Sequence, residues 1–366
     1  MLDRLCQNRV IEKEICLERE REAYAAHQRP TYRSEAHHPV PHLTGVQYTS
    51  PNVIVQVNYD EITGYGEASP AEYYGESLET VLACITLFAG NLGDDPFALE
   101  DIFQQLDKII RLNPSAKAAV DMALYDIIGK VLGVPLYKLL GLNPTRAAHT
   151  SFTIGIDTPA QMAKKALMAK DYPILKIKVG TRHDLEIIKA IREVSAATIR
   201  VDANAGWTPK EAIRTINALA PYNIEFVEQP VPAHDLAGLK LIRDNVPVPI
   251  IADESCVTVE DIPRVVGCVD GINIKLMKCG GLRNALKMIH TARAHNLRIM
   301  IGCMVESSLA ITAAAHLTPL VDYADLDGNL LIDNDPYEGV KVENGKLILP
   351  DGPGLGVKPR PVTAGK

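Results

Sequence analysis

Two lysines at i and i+2, Lys176 and Lys178, stand in the short apolar segment Ile174-Leu-Lys-Ile-Lys-Val-Gly180. The segment is β-branched and stops at a glycine, which reads as a buried strand, and on a strand side chains two apart share a face. Two ammonium groups side by side repel each other and resist burial. Taken alone, the pair also suits an edge strand with two solvated lysines. The residues that follow shift the balance. Asp202, Glu228 and Asp253 each close a short apolar run, and the steps from Lys176 to Asp202, Glu228 and Asp253 are each about 25 residues, one strand-helix unit. Lys275 closes the next run. Three carboxylates converging on one point would repel unless a cation joined them, and hard oxygen ligands without His or thiol favour Mg2+, with Mn2+ a weaker substitute. A cation there would bind a substrate carboxylate and make the carbon beside it acidic enough for an amine base. Of Lys176 and Lys178, one would transfer the proton and the other tune it. With a lysine on each side of the substrate, the proton can leave one face and return on the other, which is racemisation or epimerisation.

That geometry needs a scaffold, and the chain supplies the pattern of one. From Ala147 onward eight strand candidates appear: 151–154, 175–179, 199–202, 224–228, 249–253, 272–275, 298–301 and 323–325. Most are followed by a helix-length gap, and this alternation implies a parallel (β/α)8 barrel whose site lies at the C-terminal strand ends. Strands two and six, which carry the lysines, then face each other across the ring. Before the barrel, Asn52–Tyr59 and Glu61–Glu67 read as a hairpin, and Ser77 to Gly141 as helices. The strongest helix spans 115–128, with Ser115 as its N-cap. Strands first and helices after make an α+β module. Residues 30–51, with several prolines, suit a strand, a turn and a mobile loop. The expected division is a charged leader of unassigned role over 1–29, the α+β module over 30–146, the barrel over 147–329, and a segment over 330–366 that returns to the α+β module. The leader reads either as an exposed segment or as a subunit-contact helix.

Bulk properties exclude several classes. The 366 residues are 47% hydrophobic and 23% charged, ordinary for a globular enzyme. A formal charge of −7 argues against nucleic-acid or anionic-membrane surfaces. No apolar run approaches the roughly 20 residues of a spanning helix. Cysteines 6, 16, 84, 256, 268, 279 and 303 form no C-x-x-C pair, which fits reduced thiols and a cytoplasmic location.

The motifs Lys-Ile-Lys-Val-Gly (176–180), Val-Asp-Ala-Asn (201–204), Glu-Gln-Pro (228–230), Ala-Asp-Glu-Ser (252–255) and Asn-Ile-Lys-Leu-Met-Lys (273–278) together resemble the muconate-lactonizing-enzyme subgroup of the enolase superfamily. Gly64-Tyr-Gly-Glu-Ala and the 115–128 helix resemble that family's capping domain and its junction with the barrel. The resemblance covers roughly residues 36 to 355. It implies Lys178 and Lys275 as acid/base catalysts, Lys176 as support, and Asp202, Glu228 and Asp253 as ligands of one Mg2+ per subunit. Sites of that superfamily use a lysine or histidine base with Mg2+ and an ene-diolate.

Within the subgroup, Asp325-Leu-Asp327-Gly328 resembles the Asp-x-Asp motif of dipeptide epimerases, which grips the free ammonium of the substrate's N-terminal residue. Alone, the same four residues suit a turn with capping aspartates. The resemblance implies inversion of the α carbon of the C-terminal residue of an L,L-dipeptide by two-base 1,1-proton transfer. The loop 42–51 resembles the family's specificity loop and offers Thr44 and Tyr48 as substrate contacts. It holds no Lys or Arg, so the expected side chain is hydrophobic or aromatic; Glu72 in a second loop makes a cationic one the runner-up. Glu306 is either structural or a substrate contact. A cycloisomerase or an o-succinylbenzoate-synthase-type lyase is the alternative activity, and a barrel retained only for binding or assembly is the third. A homo-oligomer is expected, with no nucleic-acid or membrane partner.

Overall fold

The computed structural model describes residues 16–18, 32–42 and 45–361, with side chains from residue 49 onward. The first sheet is antiparallel: β1 (Cys16–Glu18), β2 (Tyr32–His42) and β4 (Ile62–Ala68) all pair with the long β3 (Gly45–Tyr59). Two expectations change here. Part of the charged leader is a strand, paired with Ile54, Val55 and Gln56. Residues 45–49, expected in a mobile loop, belong to β3, and residues 32–42 form a full strand. Its prolines are tolerated because β2 lies at an edge of the sheet, and the ladder slips between Glu35 and Val40, around Pro39. Thr44 lies outside the described residues, as does the side chain of Tyr48.

Three helices cover this sheet, α1 (Leu78–Phe88), α2 (Leu99–Ile109) and α3 (Pro114–Leu132). Helix α3 is rich in small residues, with Ala116, Ala119 and Ala123 fully buried, and β4 lies directly on it. A Cβ at Gly66 would stand 1.8 Å from the Ala119 carbonyl oxygen, so only glycine permits this approach. Ser115 is not the N-cap of α3. Asn113 occupies that position at φ +54 without capping the helix through its side chain, and the cap comes from afar. The Glu76 carboxylate accepts from the Ser115 amide at 3.1 Å and from its hydroxyl at 2.7 Å.

The barrel follows: β5 (Phe152–Ile154), β6 (Ile174–Lys178), β7 (Thr198–Asp202), β8 (Ile224–Glu228), β9 (Ile250–Ala252), β10 (Gly271–Lys275), β11 (Arg298–Gly302) and β12 (Tyr323–Asp325), in sequence order and all parallel. A bridge between Thr150 and Ala324 joins the two ends of the sheet. Outward residues such as Leu175, Ile177, Val201, Ile250, Ile274 and Ile301 form the main apolar core. The interior holds only a small apolar set, Phe226, Ile251 and Met300 with Tyr323 packed against it. The Arg200 guanidinium lies over the rings of Phe226 and Tyr323, at 5.3 and 5.2 Å, and donates to the Ala324 carbonyl at 2.6 Å. Above that layer, toward the C-terminal strand ends, the inward positions are charged. No helix among the described residues is long and apolar enough to cross a membrane.

The last segment contacts both halves. Leu355 N–H donates to Asp126 of α3, while the hairpin Lys341–Glu343 and Lys346–Ile348 reaches Ala148 at the barrel. His316, at the end of the helix Ser308–Ala315, ties this region together. Its Nδ1 accepts from the Tyr137 amide at 3.2 Å, so Nε2 carries the proton and donates to the Leu355 carbonyl at 3.1 Å. Burial lowers the His316 pKa to about 4, and protonation would set an N–H against the Tyr137 N–H. A base whose folded pKa lies below its unfolded value of about 6.5 contributes fully above pH 6.5 and loses that contribution as pH falls toward 4. The loss is on the order of 3 kcal/mol. Urea unfolding of the wild type and of His316→Gln, which keeps both bonds without titrating, should therefore diverge in slope across that window. Parallel pH profiles would refute the assignment.

Candidate active site

The C-terminal ends of β6 to β10 and β12 bring the charged residues onto one another because alternate residues of a barrel strand face the axis. Lys176 Nζ lies 3.0 Å from Asp202 Oδ2, 2.8 Å from Glu228 Oε2 and 2.7 Å from Asp325 Oδ2. Lys178 Nζ shares Asp202 Oδ2 at 2.7 Å and also donates to Asn204 Oδ1 at 2.7 Å. Across the ring, Lys275 Nζ stands 2.8 Å from Asp253 Oδ2 and Lys278 Nζ 2.5 Å from Asp253 Oδ1. Lys176, Asp202, Glu228 and Asp253 are buried almost completely.

Electrostatics follow from this crowding. Burial alone would lower Lys176, but the pull of Asp202, Asp325 and Glu228 raises it well above the ordinary lysine value. Lys176 is therefore held protonated by carboxylates, and its neighbour's positive charge does not decide its state. Burial would likewise lower Lys275, and Asp253 raises it. Asp202 and Asp253 are pulled below the usual carboxylate range by their lysines, against burial. Glu228 moves the other way, up to about 7, through burial and repulsion from Asp202.

Whether these acids suit a metal ion can be asked of their oxygens. Among the described residues no three acids are drawn into a ready-made cage, since each is engaged by lysine. Yet Glu228 Oε2 and Asp253 Oδ2 are buried without a hydrogen-bond partner: their lysines are near, but not aligned as donors. Buried unpaired oxygens among three hard carboxylates fit an oxygen-seeking divalent cation.

The remaining expected site residues are held by the chain itself. Asp325 Oδ1 accepts from Ser151 Oγ at 2.5 Å, and Asp327 Oδ2 from the Thr153 amide at 2.6 Å, so both acids face β5 and its approach. Burial and the Asp325 charge raise Asp327 to about 7. Glu306 accepts from the Met304 amide at 2.7 Å, closing the turn after β11, and burial lifts it to about 8. Beside them stand residues to which sequence reasoning gave no role. Asn273 donates to Glu228 Oε1 at 2.7 Å, Gln229 accepts from the Asp253 amide at 2.9 Å, and Glu254 is half-buried with its buried Oε2 unpartnered. Asn273 was open to detection, standing two before Lys275 and so on the same strand face. Tyr74 approaches from the loop before α1, and its hydroxyl is raised by burial and by Asp253 and Glu254.

Family models match both halves of the chain. Residues 28–141 match the mandelate racemase / muconate lactonizing enzyme N-terminal domain, and residues 159–362 match the enolase C-terminal domain-like model. The chain belongs to the mandelate racemase / muconate lactonizing enzyme family of the enolase superfamily. Within it, the chain is 46% identical over 311 residues to the L-Ala-D/L-Glu epimerase of Bacteroides thetaiotaomicron, a match covering 84% of this chain and 81% of that one. It is 43% identical over 330 residues to the hydrophobic dipeptide epimerase of Enterococcus faecalis, covering 86% and 93%. The crystal structure of an Enterococcus faecalis dipeptide epimerase complexed with Mg and the dipeptide L-Leu-L-Tyr superposes with a TM-score of 0.85 at 40% identity, over 89% of this chain and 97% of that one.

Proposed function

We propose that this member of the family is a Mg2+-dependent dipeptide epimerase that inverts the α carbon of the C-terminal residue. One observation carries the reading: amines on β6 and β10, opposite strands of the ring, flank three carboxylates on the strands between them, and an acid pair stands at the end of β12. The relatives described above support it. Asp202, Glu228 and Asp253 would hold the Mg2+, or Mn2+ in its place. When bound, the ion supplies a fixed positive charge for the substrate carboxylate and for the negative charge that develops there. Lys178 removes the α-proton from one face and Lys275 returns one from the other, with the roles exchanged in the reverse direction. Lys176, kept protonated, neutralises the carboxylates behind Lys178. At β12, Asp327 is held by a single oxygen and so offers the substrate ammonium the more available partner, while Asp325 is engaged by Lys176 and Ser151.

The C-terminal side chain of the substrate is hydrophobic or aromatic on this reading. Residues 42–51 carry no Lys or Arg, and two tyrosines, Tyr73 and Tyr74, pack edge to face at 5.0 Å on the second loop. The test is isotope exchange. Incubated with Mg2+ and pooled L-Ala-L-Xaa dipeptides in 2H2O, the protein should add one mass unit to dipeptides with apolar or aromatic Xaa, and lose this activity with EDTA. A folded, Mg2+-binding protein that labels no dipeptide would overturn the reading in favour of cycloisomerase or synthase chemistry. Labelling confined to Lys or Arg dipeptides would overturn the side-chain assignment alone.

A further inference from the structure

Asn204 sits two residues beyond Asp202, in the turn that leaves β7, and three different groups meet on it. Its amide N–H donates to Asp202 Oδ1 at 3.0 Å. Its side-chain Oδ1 accepts from Lys178 Nζ at 2.7 Å, and its Nδ2 donates to Glu254 Oε1 at 3.4 Å. The orientation of the carboxamide is dictated by these neighbours. An ammonium only donates, so the atom facing Lys178 must be the oxygen; the amino group then faces the one partner that only accepts, a carboxylate. The backbone is unusual as well. Asn204 has φ +40 and Ala205 φ +61, left-handed conformations that side chains rarely adopt and that asparagine tolerates better than most. The turn is secured by Ala205 N–H to the Gln229 carbonyl at 2.7 Å and by Trp207 N–H to the Pro230 carbonyl at 3.1 Å. Strain held at a site by surrounding bonds marks a conformation with a use.

The use follows from counting hydrogens on Lys178. A neutral amine acting as base has two N–H groups and one lone pair on its tetrahedral nitrogen. Lys178 Nζ has two acceptors from this chain, Asp202 Oδ2 and Asn204 Oδ1, both at 2.7 Å. Two N–H groups directed at two fixed acceptors leave the lone pair one direction to point. We infer that Asn204 is a positioning residue that, together with Asp202, aims the lone pair of Lys178 at the substrate's α-proton, its own carboxamide being held in place by Glu254. This rests on the dipeptide-epimerase reading. Without Asn204 the amine can rotate about its Cε–Nζ bond, and most of its rotamers point the lone pair elsewhere.

Asn204→Gly separates this role from the backbone, because glycine adopts φ +40 without strain and keeps the N–H to Asp202. The expected result is a fall in kcat of about 10- to 100-fold, the usual scale for a misaimed reacting group, with KM within about twofold. Mg2+ affinity by titration calorimetry should stay within about twofold as well. Trp207, the sole tryptophan, donates from Nε1 to Asp184 at 3.0 Å and reports on the turn, so its emission should match the wild type. Unchanged kcat would overturn the inference. So would a rise in KM equal to or larger than the fall in kcat, which would make Asn204 a substrate contact, and so would a shifted Trp207 emission, which would make it a structural one. Wild-type exchange in 2H2O is measured alongside. If the wild type itself labels no dipeptide, the epimerase reading fails; if it labels and Asn204→Gly labels equally fast, only the role of Asn204 fails.

Discussion

Lys275→Met should abolish epimerisation while leaving half of the proton chemistry intact. With Lys178 still in place, one of the two epimers, the one whose α-proton faces β6, should go on exchanging its proton with 2H2O without inverting. Lys178→Met should show the mirror image, exchange of the other epimer through Lys275. Loss of a general acid or base typically costs about 10^2- to 10^4-fold, and here each lysine is indispensable to one half of the reaction, so inversion should fall at the upper end or beyond. The two amines occupy separate charge environments, Lys178 on Asp202 and Asn204, Lys275 on Asp253, so neither variant removes the other's partners. Nuclear magnetic resonance of the L,L and L,D dipeptides, each incubated separately in 2H2O, distinguishes the cases. If both variants exchange the same epimer, the two bases share a face and the two-sided mechanism is wrong.

How much of this was legible in the sequence depends on where each residue finds its partner. The barrel and its ring of strand ends could be read because each inward charge interrupts an apolar run at a fixed spacing, a local signal. Lys176, Lys178, Asp202, Glu228, Asp253 and Lys275 all fell out of that pattern, and the structure brings them together at one end of the barrel. Where the partner is distant, the local signal misleads. Ser115 looks like an N-cap because the carboxylate that serves α3, Glu76, lies 39 residues earlier. Residues 45–49 look like part of a mobile loop because their pairing with β2 is not legible from the prolines that surround them. Asp325 and Asp327 look like an equal pair, yet Lys176 and Ser151 engage the first and a backbone amide the second. Asn204 needed its left-handed turn, which no composition reveals.

Lys278 is the strongest case of this kind and should show the largest effect on stability. One helical turn beyond Lys275, it finds partners up to 25 residues away, because the short helix Leu276–Cys279 turns it inward, where it is almost fully buried. Its ammonium donates to Asp253 Oδ1 at 2.5 Å and to the carbonyls of Asp253, Cys256 and Asn273 at 2.7, 3.1 and 2.9 Å. In this way it ties the end of β9 to β10 and fixes one oxygen of Asp253, leaving the other toward Lys275. Lys278→Met fills the same space but removes every donor, stranding a buried carboxylate oxygen. Breaking a buried ion pair from one side costs about 3–5 kcal/mol, so the urea midpoint should fall markedly. Because Asp253 would lose its orientation, Mg2+ binding by calorimetry should weaken about 10- to 100-fold, the range seen when a ligand's supporting contact is removed. Both changes are required. A lower urea midpoint with unchanged Mg2+ affinity would mean that Lys278 serves the fold and not the site, and unchanged stability would mean that the cost of burying this ammonium cancels all four of its bonds. The joint outcome is expected because Asp253 is a single rigid carboxylate with a lysine on each oxygen: what holds one oxygen decides where the other points.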